Sequence, residues 1–232
     1  MISFDTDCAT VTEDGLDAAM SLVYYARMRF LIKLLPQLLA SKQTAHVIDI
    51  FAPGTEANLI EDDLALLKPG NYKFLNVRSH TTYMKTLLFE KLAEQHPGKL
   101  ALCHHFPHYV ETPLFFHSGY PWWFQILWHT LAPIFKLFSM SEDECGNRML
   151  YMATDKYPAR QEPGTLSTED AGATQGSDGK RGSGAYAVGP NNDPLDIAKH
   201  YEKFDREDIK RKLWDHTMNV FETVEAGKTY KV

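Results

Sequence analysis

The sequence lacks the features that would assign it to several common classes of protein. It has only three cysteines, Cys8, Cys103 and Cys145. They are too few and too scattered for a disulfide framework or a zinc site, which favours a reducing compartment and a cytoplasmic location. The net charge of −6 comes from interspersed acidic and basic residues, so no basic stripe is offered to nucleic acid. The N-terminal MISFDTDCATVTEDG has neither the basic start nor the apolar core of a signal peptide.

The most apolar stretch, residues 121–140 (PWWFQILWHTLAPIFKLFSM), is not the uninterrupted run that a membrane-spanning helix needs. It contains Gln125, His129, Pro133 and Lys136. We expect an aromatic helical lid, an amphipathic helix pair that covers a pocket. The alternative is contact of the same residues with a membrane surface.

What the sequence does contain is enough apolar material for a core, since 44% of its 232 residues are hydrophobic and 12% are aromatic. The composition changes over residues 158–183, which are polar, small and glycine-rich and predict a disordered insert. We therefore predict one α/β domain formed by residues 1–157 and 184–232.

Apolar periodicity predicts three helices, and short β-branched runs predict three strands. The helices are Glu13–Ala40, with Thr10 and Glu13 in capping-box spacing, Ser79–Gln95 and Asp205–Val224. The strands are His46–Phe51, Lys99–His104 and Ala185–Val188. Helices that precede the apolar strands indicate β-α-β crossovers. The predicted architecture is therefore α/β, a partial Rossmann-like parallel sheet of about three or four strands flanked by helices.

Several segments of the chain resemble one family in their content and order. They are TEDGLDAAMSLVYYARMRFLIKLLPQLL, HVIDIF, TYMKTLLFEKLAEQHPGKLALCHHFPHYVETPLF, SMSEDECGNRMLYMAT, GSGAYAV and LWDHTMNVF. Together they resemble fungal short-chain dehydrogenase/reductase-like proteins of secondary metabolism. The resemblance begins in the middle of that fold. It therefore implies an N-terminally truncated member without the dinucleotide-binding half.

The resemblance also implies where the family's catalytic residues would fall. Its asparagine would fall near Val23 or Tyr24, its serine near Phe51 or Ala52, and its Tyr-x-x-x-Lys pair on Arg78 and Thr82. None of the four residue types is present at its place. Tyr83 and Lys85 lie nearby but only two residues apart, which points them away from each other on a helix. We therefore do not expect a self-sufficient dehydrogenase.

Cofactor and metal sites are not expected either. The glycine pattern Gly182-Ser183-Gly184 is not followed by a helix, so it fails as a dinucleotide fingerprint. The histidines lack metal-ligand spacing. We expect no cofactor-binding residues, no cofactor and no metal, with NADP required only if a partner chain completes the site.

The substrate side of the family's site remains recognisable as a strand end, a histidine-rich loop and an aromatic lid. His108 stands where the family has a glycine in this loop, and Thr112-Pro113 matches the loop's ending. Imidazole and phenol groups beside an apolar pocket suit general acid/base chemistry. The predicted catalytic residues are His108, Tyr109, His80 and Tyr83. The predicted substrate-binding residues are His105, Thr112, Tyr24, Trp122, Trp123 and His129.

Three functions stay open at this point. The first is a cofactor-independent cyclase or isomerase of fungal natural-product biosynthesis, acting on a small apolar or aromatic substrate. The second is a non-catalytic pseudo-reductase that binds a small molecule. The third is an NADP-dependent oxidoreductase completed by a partner chain. We also expect a homodimer through the helices at 13–40 and 79–95, and no nucleic-acid partner.

Overall fold

The computed structural model describes residues 10–111, 122–136, 139–161 and 172–231. Its elements follow the chain as α1 (Ala18–Met20), a π-helical turn (Ser21–Tyr25), α2 (Ala26–Leu39), β1 (Ala45–Ile50), α3 (Phe74–Gln95), β2 (Leu100–His105), α4 (Trp122–Lys136), α5 (Glu142–Tyr151), β3 (Ala185–Val188), α6 (Ala198–Tyr201) and α7 (Arg206–Glu225). Within these ranges, no helix has both the length and the apolar character needed to cross a membrane.

The three strands form one parallel sheet in the order β1-β2-β3. Ala45 pairs with Leu100, and Leu102 pairs with Ala185. Every residue of β2 and β3 is buried, as expected for a parallel sheet covered on both faces. The predicted α/β class with a partial Rossmann-like sheet is confirmed.

The two edges of this sheet differ. The outer edge of β3 is covered, because the Ser177 N–H donates to the Ala185 carbonyl and the Leu195 N–H donates to the Ala187 carbonyl, both at 2.9 Å. On the side of β1 that faces away from β2, no strand formed by the described residues is paired. The edge of β1 is therefore open.

The first helix begins later than the sequence predicts. The chain turns before it, with Gly15 at a φ of +80°. The Asp17 carboxylate then accepts a hydrogen bond from the Met20 N–H at 2.9 Å. Asp17, not Thr10, is therefore the N-cap, and the helix starts at Ala18. The π-helical turn leads into α2, which continues through Pro36.

The central helix of the fold is α3, which begins at Phe74, five residues before the predicted start at Ser79. Most of its residues from Val77 to Ala93 are buried. Its apolar side chains join residues of the sheet, α2 and α7 in one core that includes Met28, Met84, Leu87, Leu88, Leu100, Leu102 and Leu213. This burial leaves α3 little surface for the dimer interface that the sequence predicts.

The opposite face of the sheet has a smaller core. It consists of Cys103, Tyr186 and Val188 from the strands, with Met152 and Tyr157 from the segment after α5. The Tyr157 and Tyr186 rings meet edge to face at 5.3 Å between centroids. Because successive strand residues alternate between the faces, β2 directs His104 and His105 to opposite sides.

Residues 172–183, which the composition assigns to a disordered insert, contact the helical core through Ser177. The Ser177 hydroxyl donates to Glu90 Oε1 at 2.7 Å. Arg206 of α7 donates to both carboxylate oxygens of Glu90, at 2.6 and 3.1 Å. Glu90 is only 2% exposed, so one buried carboxylate joins this segment to α3 and α7. Residues 162–171 lie outside the described residues.

The aromatic stretch forms one helix, α4, with Pro133 inside it, whereas the sequence predicts a pair. On its inner side, the Trp128 ring packs against the Tyr109 ring with 5.8 Å between centroids. On its outer side, large apolar side chains are exposed. They are Trp122, Trp123, Ile126, Leu127 and Ile134.

Candidate active site

An ion pair between the buried Lys85 and the largely buried Asp49 lies at the carboxyl end of β1. Asp49 is the acidic residue of an apolar strand, and its Oδ2 accepts a hydrogen bond from Lys85 Nζ of α3. The Lys85 side chain is 0% exposed and that of Asp49 is 12% exposed. Ligands of open parallel sheets bind at the carboxyl ends of the strands, which makes this pair the natural starting point for a site.

Arg27 of α2 completes the cluster from the solvent side. Its Nη1 donates to Asp49 Oδ1 at 3.1 Å and to the Ile50 carbonyl at 2.8 Å. The Ile50 carbonyl lies at the end of the open edge, so Arg27 satisfies a backbone acceptor that has no strand partner. With both basic side chains protonated, the cluster of Arg27, Asp49 and Lys85 carries one net positive charge.

Burial changes the chemistry of the lysine. Loss of water around Lys85 lowers the pKa of its amino group to about 8, although the Asp49 carboxylate acts in the opposite direction. The Arg27 charge lowers that pKa further. The amino group also lies 4.8 Å from the centroid of the Phe51 ring. A lysine of this kind is protonated at pH 7 but releases its proton more readily than an exposed lysine.

His104 borders the same strand end on β2. Its Nδ1 lies 2.9 Å from the Thr86 hydroxyl of α3. Its Nε2 has no hydrogen-bond partner among the residues that the structure describes. Complete burial lowers the pKa of His104 far below its ordinary value, with the Lys85 charge as the next cause. The imidazole is therefore neutral and keeps one polar atom for a further partner.

A groove of about 770 Å³ runs beside this cluster, between α2 and the open edge of β1. Asp49, Ile50 and Arg27 line one end of it. The remaining lining is mostly apolar and includes Leu22, Phe30, Leu34 and Leu38 from α2, and Val47 and Ile48 from β1. The charged cluster thus opens onto an apolar channel.

Three predicted site residues have structural roles in the core. The His80 Nε2 accepts a hydrogen bond from the Ile60 N–H at 2.9 Å, and burial lowers the pKa of His80 to about 4. The Tyr83 hydroxyl donates to the His200 carbonyl at 3.0 Å, and burial raises the pKa of Tyr83 to about 12. The Tyr24 hydroxyl lies 2.8 Å from the Thr217 hydroxyl of α7. None of the three side chains lines the groove beside β1.

His108 and Tyr109 lie together in a second, more polar groove of about 420 Å³. Its lining includes Glu144, Arg148 and Asn191. His108 has a φ of +59°, a conformation that favours glycine. The His108 ring stacks on Phe106 with 4.7 Å between centroids.

Among the described residues, the other predicted binding residues lie in two separate places. The His105 Nδ1 lies 3.3 Å from the Val188 carbonyl in the smaller core. Trp122, Trp123 and His129 are exposed on α4. Thr112 lies outside the described residues. The structure therefore brings together His108 and Tyr109, but not the whole predicted set.

Sequence reasoning missed the cluster of Arg27, Asp49 and Lys85. Two signals pointed to it. Asp49 is a lone charge in the strand HVIDIF, and Lys85 follows Tyr83 on a helix that crosses the same sheet. Neither signal gives the distance between the two side chains, because that distance depends on how α3 crosses β1.

The glycine segment at residues 182–184 does not have the setting of a phosphate-binding turn. Gly182 and Gly184 have φ values of +63° and +78°. A Cβ on Gly184 would lie 2.7 Å from the Arg160 nitrogen and 3.1 Å from the Ala93 Cβ. Glycine is therefore needed at position 184 because the chain packs closely around it, and not because a phosphate group needs the space.

Comparisons with known proteins agree with this partial architecture. No family model matches the chain. It is 37% identical to a short-chain dehydrogenase/reductase of Stachybotrys chartarum over 216 residues, which are 92% of this chain and 60% of that protein. It is 32% identical to an oxidoreductase of Emericella nidulans over 215 residues, 91% of this chain and 63% of that protein. An oxidoreductase of Emericella variicolor is 32% identical over 219 residues, 92% of this chain and 63% of that protein.

The three-stranded parallel sheet, in the order β1-β2-β3 and flanked by helices, is a partial Rossmann-like α/β fold. Within that class, the chain is similar to fungal proteins named as a short-chain dehydrogenase/reductase and as oxidoreductases. It spans about 60% of the length of the curated relatives it matches.

Proposed function

We propose that this chain is the substrate-side half of a fungal oxidoreductase that acts on a hydroxyl or carbonyl compound. The observation that carries the proposal is the cluster of Arg27, Asp49 and Lys85 at the carboxyl end of β1, open to a groove along the sheet edge. The printed names of the relatives, a dehydrogenase/reductase and two oxidoreductases, support the reaction class.

The chain's own residues contribute charge and position. The net positive charge of the cluster favours an oxygen-rich or anionic group at the groove's polar end. Asp49 fixes the Lys85 amino group against the strand, and Arg27 fixes Asp49 in turn. NADP is the cofactor expected for this class, and a further segment has to supply its binding site.

The test is a fusion of this chain with the part of the Stachybotrys relative that has no counterpart here. The fusion is expected to oxidise NADPH in the presence of at least one member of a panel of carbonyl compounds. Lys85→Met is expected to lower that rate at least about tenfold, because it removes a charged hydrogen-bond donor. Lys212→Met, which changes a surface lysine of α7 with 44% side-chain exposure, is the matched control and should leave the rate unchanged. A folded fusion without NADPH oxidation contradicts the proposal.

A cofactor-independent cyclase or isomerase is the second candidate, and one observation favours it. His108 and Tyr109 share a groove with Arg148, so an imidazole, a phenol and a guanidinium line the same cavity, and groups of these types polarise a substrate without any cofactor. Comparing the products of the fungal pathway with and without the chain, and with His108→Ala and Tyr109→Phe, tests this candidate. Products that are unchanged by both substitutions exclude it. Products that are unchanged even by removal of the chain leave the non-catalytic binding module.

A further inference from the structure

The outer face of α4 carries a stripe of large apolar side chains. Trp122 is 74% exposed and Ile126 is 60% exposed, whereas Trp128 on the inner face is only 9% exposed. Because residues three or four positions apart share one face of a helix, the exposed side chains form a single patch. Exposed apolar patches of this kind mark interaction surfaces. We call the patch the outer stripe, and its members are Trp122, Trp123, Ile126, Leu127 and Ile134.

Contacts on the inner face of α4 fix the direction in which the outer stripe points. The Tyr109 ring lies 5.8 Å from the Trp128 ring and 6.1 Å from the Phe135 ring, measured between centroids. The Lys136 amino group lies 2.9 Å from a carboxylate oxygen of Glu111 at the end of the helix. These contacts hold α4 against the segment that follows β2, so the outer stripe faces away from that segment.

The charge of α4 differs from that of the whole chain. The chain has a net charge of −6, yet α4 contains no aspartate or glutamate, and its one lysine, Lys136, stands at its C-terminal end. A surface that covers the outer stripe therefore removes no charged group of the stripe from water. The net charge of the chain repels an anionic surface, so the outer stripe suits apolar contact with an electrically neutral one.

Tryptophan and lysine stand at positions on α4 that are typical of the boundary between lipid and water. Trp122 and Trp123 begin the helix, and Lys136 ends it. Tryptophan rings concentrate where hydrocarbon meets headgroups, because they are apolar and also donate a hydrogen bond. The 15 residues of α4 make a helix about 22 Å long. A helix of this length fits in the plane of the boundary rather than across a hydrocarbon core of about 30 Å.

A second copy of this chain fits the outer stripe less well. A specific protein interface uses about 20–30 residues from each partner, whereas the outer stripe is confined to one face of a single helix. A lipid surface needs only such a face, which enters the boundary between headgroups and acyl chains by about 5–10 Å. The area of the outer stripe therefore favours lipid as its occupant.

We propose that the outer stripe of α4 binds the surface of a lipid bilayer with electrically neutral headgroups, with the helix axis parallel to the plane of the membrane. Trp122, Trp123 and Ile126 then lie at the boundary between headgroups and acyl chains. The proposal is independent of the proposed function, since it concerns where the chain binds and not which reaction it supports.

The experiment measures binding of the full chain to phosphatidylcholine vesicles by flotation at physiological salt. We expect saturable binding, with no increase when part of the phosphatidylcholine is replaced by anionic phosphatidylserine. Vesicles with brominated acyl chains should quench the fluorescence of Trp122 and Trp123, because these indoles lie next to the lipid. The double substitution Trp122→Phe and Trp123→Phe should remove most of the quenching, since Trp128 is buried and Trp214 is partly buried on α7.

A charge substitution locates the contact. Ile126→Glu is expected to weaken vesicle binding at least about tenfold, because it places a carboxylate in the middle of the outer stripe. Leu150→Glu is the matched control, since Leu150 is 72% exposed on α5 and lies outside the outer stripe. It should leave binding unchanged. Circular dichroism checks that both variants are folded, and the quenching measurement tests the proposal without a charge substitution.

Four results would overturn the proposal. The first two are the absence of binding to phosphatidylcholine vesicles and binding that appears only with phosphatidylserine. The third is binding by folded Ile126→Glu that equals binding by the unsubstituted chain. The fourth is a dimer, measured by light scattering, that Ile126→Glu dissociates, because a second copy of the chain would then cover the outer stripe.

Discussion

Lys85 and Asp49, 36 residues apart in the chain, form an ion pair that joins the middle of α3 to the carboxyl end of β1. The lysine is completely buried, whereas the aspartate keeps a second basic partner in Arg27 and a small exposed surface. The two substitutions should therefore differ in cost. Removal of Asp49 leaves the buried Lys85 charge without a counterion, whereas removal of Lys85 leaves Asp49 paired with Arg27.

Removal of the carboxylate should cost more stability than removal of the amine. Asp49→Asn leaves the buried Lys85 charge without its counterion, so we expect a loss of about 3 kcal/mol in the free energy of unfolding. Lys85→Met leaves Asp49 paired with Arg27, and we expect a loss of about 1 kcal/mol. Urea unfolding at pH 7 measures both. Equal losses, or a larger loss for Lys85→Met, would show that the pair is not arranged as described.

The ion pair also leads us to expect an unusual titration of the Lys85 amino group. The pKa of the Lys85 amino group, lowered to about 8 by burial, should be visible by NMR as a lysine signal that titrates well below the others. Asp49→Asn removes the group that raises this pKa, so the signal should move to lower pH. A Lys85 signal that titrates together with the surface lysines contradicts the burial of this side chain.

Because His80 is buried in its neutral form, we expect the folded chain to lose stability in acid. Its pKa is about 4 in the folded chain, lowered by burial from 6.5, so the unfolded chain binds a proton more readily between these two values. The contribution of neutral His80 to the free energy of unfolding is complete above pH 6.5. It is lost as the pH falls toward 4, by about 1.4 kcal/mol per pH unit. His80→Gln should reduce this slope in urea unfolding measured between pH 7 and pH 4.5. An unchanged slope would mean that His80 is not a buried neutral acceptor.

Gly184 should be required for packing. With a φ of +78° and contacts to Arg160 and Ala93, Gly184→Ala is expected to lower the free energy of unfolding by about 2 kcal/mol. Gly146→Ala is the control, because Gly146 lies in α5 with nothing within 4 Å of an added Cβ. That substitution should stabilise the protein by up to about 1 kcal/mol through helix propensity. A tolerated Gly184→Ala would reopen the phosphate-binding interpretation of this segment.

The sequence predicts the architecture better than the site. The runs HVIDIF and KLALCH predict β1 and β2 to within one residue, because a parallel sheet buries both faces and leaves a continuous signal. The sequence predicts a capping box at Thr10, whereas Asp17 is the N-cap, because the chain turns at Gly15 before the helix begins.

The candidate site was harder to predict, because it depends on side-chain environment. His80 and Tyr83 have the residue types that acid/base chemistry uses, yet α3 directs both into the core, where backbone groups are their partners. Asp49 and Lys85 come together only because α3 crosses β1, and local sequence patterns do not predict this tertiary geometry.

The measurement that tests the central claim most directly is a fluorescence titration of NADPH. It compares this chain alone with its fusion to the part of the Stachybotrys relative that has no counterpart here. The account predicts no saturable binding by the chain alone up to about 1 mM, the top of the usual range for substrates. It also predicts saturable binding by the fusion, weakened by Lys85→Met. Saturable micromolar binding of NADPH by the chain alone would contradict the claim that Arg27, Asp49 and Lys85 form half of a site.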